Sequence, residues 1–129
     1  MDNDTGFNDI NSLLIKKKAE AFGSASGRDG YRTADFIHVV RNLYIVVTPR
    51  NAVGADSAIE DLFTRATLDE EVGGKKFKPA NKIDTDTHYG KEIFAKKVVL
   101  AKKGSIDFSG FKILLDRIVQ CLEHYDKIK

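Results

Sequence analysis

Apolar residues fall at Phe7, Ile10, Leu13, Leu14 and Ala21, the spacing of one helical face, and Gly23 is a good stop. This predicts a helix over 7–22. Ser24 to Thr33 (SASGRDGYRT) is polar and turn-rich and predicts a loop. The pattern then changes period. Phe36 to Val40 and Leu43 to Val47 are short apolar, β-branched runs separated by Arg41-Asn42. They predict two tightly joined strands, or one long bent strand. Thr48-Pro49 ends the second run, and Asn51 to Asp56 reads as a loop.

Ser57 with Glu60 three residues on fits a capping box, so a short helix is predicted through Phe63 and a further turn over Thr67 to Val72. Gly73-Gly74 breaks it. Lys75 to Tyr89 carries Pro79 and is expected to be irregular. Lys91 to Lys103 predicts a helix with Ile93, Phe94, Val98 and Ala101 inward, closed by Gly104. Ser109 to Tyr125 is the clearest helix, with Phe111, Leu114, Leu115, Ile118, Leu122 and Tyr125 on one stripe. The elements together predict an α/β fold with a short central sheet flanked by helices, in one domain spanning 1–129.

Composition narrows the class. The chain has 129 residues, 42% apolar and 31% charged, as in ordinary soluble globular domains. The net charge is +2, and its distribution matters more than its size. Asp2, Asp4 and Asp9 cluster at the start, and lysines cluster at Lys75, Lys76, Lys78, Lys82 and Lys91. Such a basic stretch can serve nucleic acid although the whole chain is near neutral. Lys96, Lys97, Lys102 and Lys103 read as a solvated helix face. A single cysteine, Cys121, rules out a disulfide framework or a Cys/His zinc spacing, and a reducing cytoplasm is the expected compartment. It reads as a small core residue. No signal-peptide pattern opens the chain, and no apolar run approaches the roughly 20 residues a membrane-spanning helix needs.

Several residues could carry chemistry. If Asp2-Asn3-Asp4 is extended, both carboxylates point the same way. Hard carboxylate oxygens suit Mg²⁺. The bland alternative is an acidic tail with Asp4 or Asn8 capping a helix. Such a pair normally ends a buried hydrophobic strand, so the chain reads as a fragment, or a short gene product, cut through a catalytic domain. Glu60 and Asp61 sit in the first turn of a helix, where they serve either as a cap or as part of a metal site for phosphodiester chemistry. Asp84-Thr85-Asp86 lacks the calcium-loop pattern and reads as a solvated loop. His88 is a candidate acid, base or phosphate contact, and more often a surface or cap residue. His38 and His124 have no recognisable partner in the sequence. Lys75, Lys76 and Lys78 flank Phe77 after the Gly73-Gly74 turn, so the lysines could contact phosphates and Phe77 could stack on a base. Neither a phosphate-binding glycine loop nor a serine-hydrolase elbow is present.

Asp2-Asn3-Asp4-Thr5-Gly6 resembles the D-x-D segment of Toprim (topoisomerase-primase) domains. The segments Phe36–Val40, Asn42–Pro49, Ala58–Asp61, Tyr89–Lys91 and Ile106–Phe111 resemble the Toprim-like C-terminal extension of some retron reverse transcriptases. The resemblance covers nearly the whole chain. It implies part of a bacterial retron reverse transcriptase, partnered with a structured RNA and its DNA product in antiviral defence, the Toprim part being a Mg²⁺-dependent nuclease effector. It carries Asp2 and Asp4 over as metal ligands and Glu60 and Asp61 as a second acidic, catalytic contribution. It would also give Lys75, Lys76, Lys78, Lys82 and Lys91 a nucleic-acid backbone to hold. The polymerase portion of the parent protein is an implied partner. The chain departs from the family in two ways. The glutamate that Toprim domains carry on an earlier strand has no counterpart, and the polymerase Tyr-x-Asp-Asp signature is absent. The chain alone is therefore expected to make no DNA and to be inactive as a nuclease. A non-catalytic nucleic-acid- or protein-binding module, or an inactive remnant, is the alternative.

Overall fold

The computed structural model describes residues 1–23, 30–50 and 55–129. Residues 24–29 of the first predicted loop and 51–54 of the second lie outside the described residues. In chain order the elements are α1 (Phe7–Lys17), β1 (Glu20–Phe22), α2 (Gly30–Thr33), β2 (Phe36–Val40), β3 (Leu43–Ile45), a 3-10 turn (Ile59–Leu62) and α3 (Arg65–Leu68). There follow β4 (Lys76–Phe77), β5 (His88–Tyr89), α4 (Lys91–Ile93) running into a π-helix (Phe94–Leu100), a 3-10 turn (Ser109–Phe111) and α5 (Lys112–Ile128). The chain forms two compact units, Met1–Ile59 with Phe111–Lys129, and Glu60–Gly110. An α/β composition with a short sheet is what the change of period predicted, and the structure makes that sheet antiparallel.

In the first unit β1, β2 and β3 form an antiparallel sheet in that order, with Glu20 opposite His38, Phe22 opposite Phe36, Ile37 opposite Ile45 and His38 opposite Tyr44. Side chains alternate between faces along each strand. One face carries Ala21, Ile37 and Ile45 into a core with Phe7 and Leu14 of α1, Ala34 and Val47. The other carries Phe22, Phe36, His38 and Tyr44, and their rings pack around His124 of α5. Arg41 turns the β2–β3 hairpin at φ 51°. Helices thus cover both faces of the sheet, α1 on one side and α5 on the other.

Several boundaries differ from the expectation. The helix over 7–22 stops at Lys17, because Lys18 adopts the left-handed conformation, φ 53°, and its N–H bonds back to Ile15. Glu20–Phe22 then becomes a strand, since pairing with β2 outweighs a weak helical pattern. Gly30–Thr33, expected as loop, is a short helix. Ser57 is no helix cap. It is buried, and its Oγ donates to the Thr48 carbonyl at 3.1 Å.

The stripe of α5 is also displaced. Leu114, Arg117, Cys121 and His124 are its buried or half-buried positions, whereas Leu115, Ile118 and Leu122 are 57%, 42% and 64% exposed. Arg117 lies 3.3 Å from Asp35 and donates to the Val47 carbonyl at 3.2 Å. These polar anchors choose the buried face over the more apolar one beside it.

In the second unit Tyr89, Phe94 and Val98 form the buried centre, with Phe63, Leu68, Val72, Phe77 and Val99 against them. β4 and β5 pair in parallel, Lys76 opposite His88 and Phe77 opposite Tyr89, so Lys75–Tyr89 is less irregular than expected. Gly73 and Gly74, at φ 60° and 74°, turn the chain between Val72 and Lys75. The helix after Lys91 has Phe94 and Val98 inward as expected. Ile93 and Ala101 are exposed, because the wider π turns re-phase the helix. Gly110 touches the Leu62 carbonyl so closely that an added Cβ would lie 2.1 Å from its oxygen.

Candidate functional site

The acidic pair at the N-terminus is built on a buried polar network. Asn3, between the two aspartates, has no exposed surface. Its backbone N–H donates to the Ser57 carbonyl at 2.7 Å, and the Ser57 N–H donates back at 3.0 Å. Its Nδ2 donates to the carbonyls of Arg32 (2.9 Å) and Thr48 (3.4 Å). Its Oδ1 accepts from Arg32 Nη1 at 2.9 Å. Arg32 also donates to the Asp4 carbonyl at 3.0 Å and to Asn8 Oδ1, and its guanidinium lies 5.0 Å from the centre of the Phe7 ring. A buried cation is tolerated here because its donors have acceptors and its face meets an aromatic ring.

Asn3 is buried at an isolated bridge to Ser57, and Asp2 and Asp4 on either side of it are half-buried. Each carboxylate gives one oxygen to a backbone N–H: Asp2 Oδ1 accepts from Ile59 at 3.0 Å, and Asp4 Oδ1 accepts from Gly6 at 2.9 Å. A carboxylate offers about four lone-pair sites, so one such bond leaves acceptor capacity for a hard cation. The oxygen donor set fits Mg²⁺.

The residue before the pair is anchored in a particular way. The Met1 ammonium donates to the Val46 carbonyl at 3.1 Å, and the Thr48 N–H donates to the Met1 carbonyl at 2.9 Å. One residue bonding to the residues on either side of its neighbour, Val47, is the slanted pattern of parallel strands. α1 begins at Phe7, just beyond the pair.

Glu60 and Asp61 belong to the second unit. Glu60 Oε1 pairs with Lys91 at 3.0 Å, and its buried Oε2 has no hydrogen-bond partner in the described structure. Both acids line a cavity of about 160 Å³ with Arg65, Leu68, Asp69, Phe77 and Pro79.

Among the five lysines expected at nucleic acid, Lys76, Lys78 and Lys82 are exposed. Lys75 donates to the Thr85 carbonyl, and Lys91 is the partner of Glu60. Phe77 stacks on Phe94, ring centres 4.2 Å apart and 19° from parallel, so it is core rather than a base platform. Asp84 is a turn residue. Its carboxylate accepts from the Asp86 N–H and the Thr87 hydroxyl, which hold it below the usual carboxylate range. His88 Nδ1 lies 2.8 Å from that hydroxyl.

The remaining histidines have partners that sequence reasoning missed. His38 Nε2 lies 2.9 Å from the Arg41 carbonyl, and His124 Nδ1 lies 2.7 Å from the Tyr44 hydroxyl. Burial, with smaller contributions from Cys121 and Tyr125, pushes the Tyr44 phenol above its ordinary range. Burial likewise raises the Cys121 thiol, which keeps it protonated and fits a packing role.

No protein-family model matches the chain, and no solved structure matches it. No helix among the described residues is long and apolar enough to cross a membrane.

Proposed function

We propose that the chain is the C-terminal, Toprim-like portion of a retron-type reverse transcriptase, a Mg²⁺-dependent nuclease module of antiviral defence that is inactive by itself. The observation that supports this most is the parallel bonding of Met1 beside Val47. A strand leading into Met1 would run parallel to that segment. Asp2 and Asp4 would then stand at its C-terminal end, directly before α1, where open α/β sheets place their ligands. Asp2 and Asp4 would hold the ion, with Asn3 and Arg32 fixing their backbone. The ion, when bound, supplies charge neutralisation at a phosphate and an activated water. Glu60 and Asp61 are proposed as acidic catalytic residues of the second unit. Lys76, Lys78 and Lys82 would hold a nucleic-acid backbone there. The exposed apolar side chains of α5 would meet the polymerase portion of the parent protein.

Two measurements test this. Mn²⁺ added to the chain should broaden the amide resonances of Asp2 to Gly6, and Asp2→Asn with Asp4→Asn should remove the broadening. Joined to the upstream sequence of its gene, the chain should cleave nucleic acid only with Mg²⁺ or Mn²⁺, and the same double substitution should abolish cleavage. Equal cleavage by the double variant would sink the proposal. A second reading, a non-catalytic binding module, draws on the exposed α5 residues Leu115, Val119 and Leu122. It predicts nucleic-acid or protein binding without metal-dependent cutting.

A further inference from the structure

We propose that Glu20, His38 and His124 form a transition-metal site that takes Zn²⁺ and clamps the C-terminal helix to the sheet. The site is separate from Asp2 and Asp4 and does not rest on the nuclease reading. One ligand atom from each of the three residues lies within 4.8 Å of the other two. Three elements converge to achieve this. Glu20 and His38 stand directly opposite each other on β1 and β2, and His124 descends from α5, its ring centre 5.2 Å from that of His38.

The surroundings match a metal site in two further respects. Metal-bound imidazoles commonly engage their second nitrogen with a carbonyl or other polar group, which selects the tautomer and orients the ring. Here His38 Nε2 faces the Arg41 carbonyl and His124 Nδ1 faces the Tyr44 hydroxyl. When those nitrogens carry the protons, the other nitrogen of each ring keeps its lone pair. The walls are aromatic. The rings of Phe22 and Phe36 centre 4.6 and 5.6 Å from that of His124. A wall of this kind limits water and strengthens ligation.

Two imidazoles and one carboxylate are a set that Zn²⁺ uses, with the fourth tetrahedral position open to water. Imidazole favours Zn²⁺ over Mg²⁺, which prefers oxygen alone. Donors bonded at about 2.0–2.1 Å to a tetrahedral ion stand about 3.4 Å apart. The separation of up to 4.8 Å must therefore close on binding. Glu20 is exposed and turns about three single bonds, so it can supply that movement.

The full chain titrated with Zn²⁺ alone, by calorimetry and by nitrogen-detected imidazole NMR, tests the site. One ion should bind per chain, shifting His38 and His124 but not His88, and Mg²⁺ should not compete. His38→Gln or His124→Gln should eliminate the saturable site. Should either variant fail to fold by circular dichroism, Glu20→Gln and Tyr44→Phe remain decisive. The first alters an exposed strand residue and the second keeps the ring. Tyr44→Phe should weaken Zn²⁺ about 10-fold, the low end of the effect of altering a metal's outer partners, and Glu20→Gln, which replaces a charged ligand, by at least as much. Absence of one-to-one binding overturns the proposal, as does binding that survives a folded histidine variant or is unchanged in both Glu20→Gln and Tyr44→Phe.

Discussion

Asn3 shows how much a single residue can carry. Its side chain donates to two carbonyls and accepts from a buried guanidinium, while its backbone exchanges a pair of bonds with Ser57. Truncating it removes those side-chain bonds and leaves Arg32 short of an acceptor, which buried charges tolerate poorly. Asn3→Ala should therefore lower the unfolding free energy by about 2–4 kcal/mol in urea melts. A change near zero would mean the N-terminal segment is not docked as described. Asp2 and Asp4 were legible in the sequence as a candidate ligand pair. The network that fixes the residue between them was not, because nothing near Asn3 in the chain announces Arg32 or Thr48.

Elements were legible where local pattern and tertiary demand agreed. Phe36–Val40 is a strand as predicted, because its branched and aromatic residues suit a pleated surface buried on both sides. Glu20–Phe22 was hidden, since three residues following a helix carry too little pattern to reveal a strand. In α5 the periodicity identified the helix but chose the wrong face. Leu115 and Ile118 look like core in the sequence, yet more than two-fifths of each is exposed. Leu115→Ala and Ile118→Ala should consequently shift stability by only about 0.5 kcal/mol in denaturant melts of this chain, as surface substitutions do. Losses of several kcal/mol would place that face against something in solution.

For the whole molecule, the net charge of +2 conceals where the cations are accessible. Lys96 and Lys102 pair with Glu92 and Glu70, and Lys91 with Glu60. Lys76 and Lys78 flank the inward Phe77 on the outer side of β4, where alternation along the strand leaves them in solvent. If these two and Lys82 contact phosphates, replacing all three by Gln should flatten the salt dependence of single-stranded DNA binding. The log–log slope should fall by about 2, since each phosphate contact on a single strand contributes about 0.7. An unchanged slope would take the lysines out of the interface.

The sequence by itself determined the class of fold, the strand at Phe36–Val40, the chain break at Arg41-Asn42 and the glycine turn at Gly73-Gly74. Those features follow from backbone preference and from periods of two and 3.6, which act between near neighbours. Only the tertiary structure decided which face of α5 is buried, that Ser57 closes a bridge instead of capping a helix, that Phe77 is core, and that Glu20, His38 and His124 meet. Each of these depends on a partner far along the chain. The competition is settled by whole-surface packing and by the need to satisfy buried polar groups, which no local pattern records.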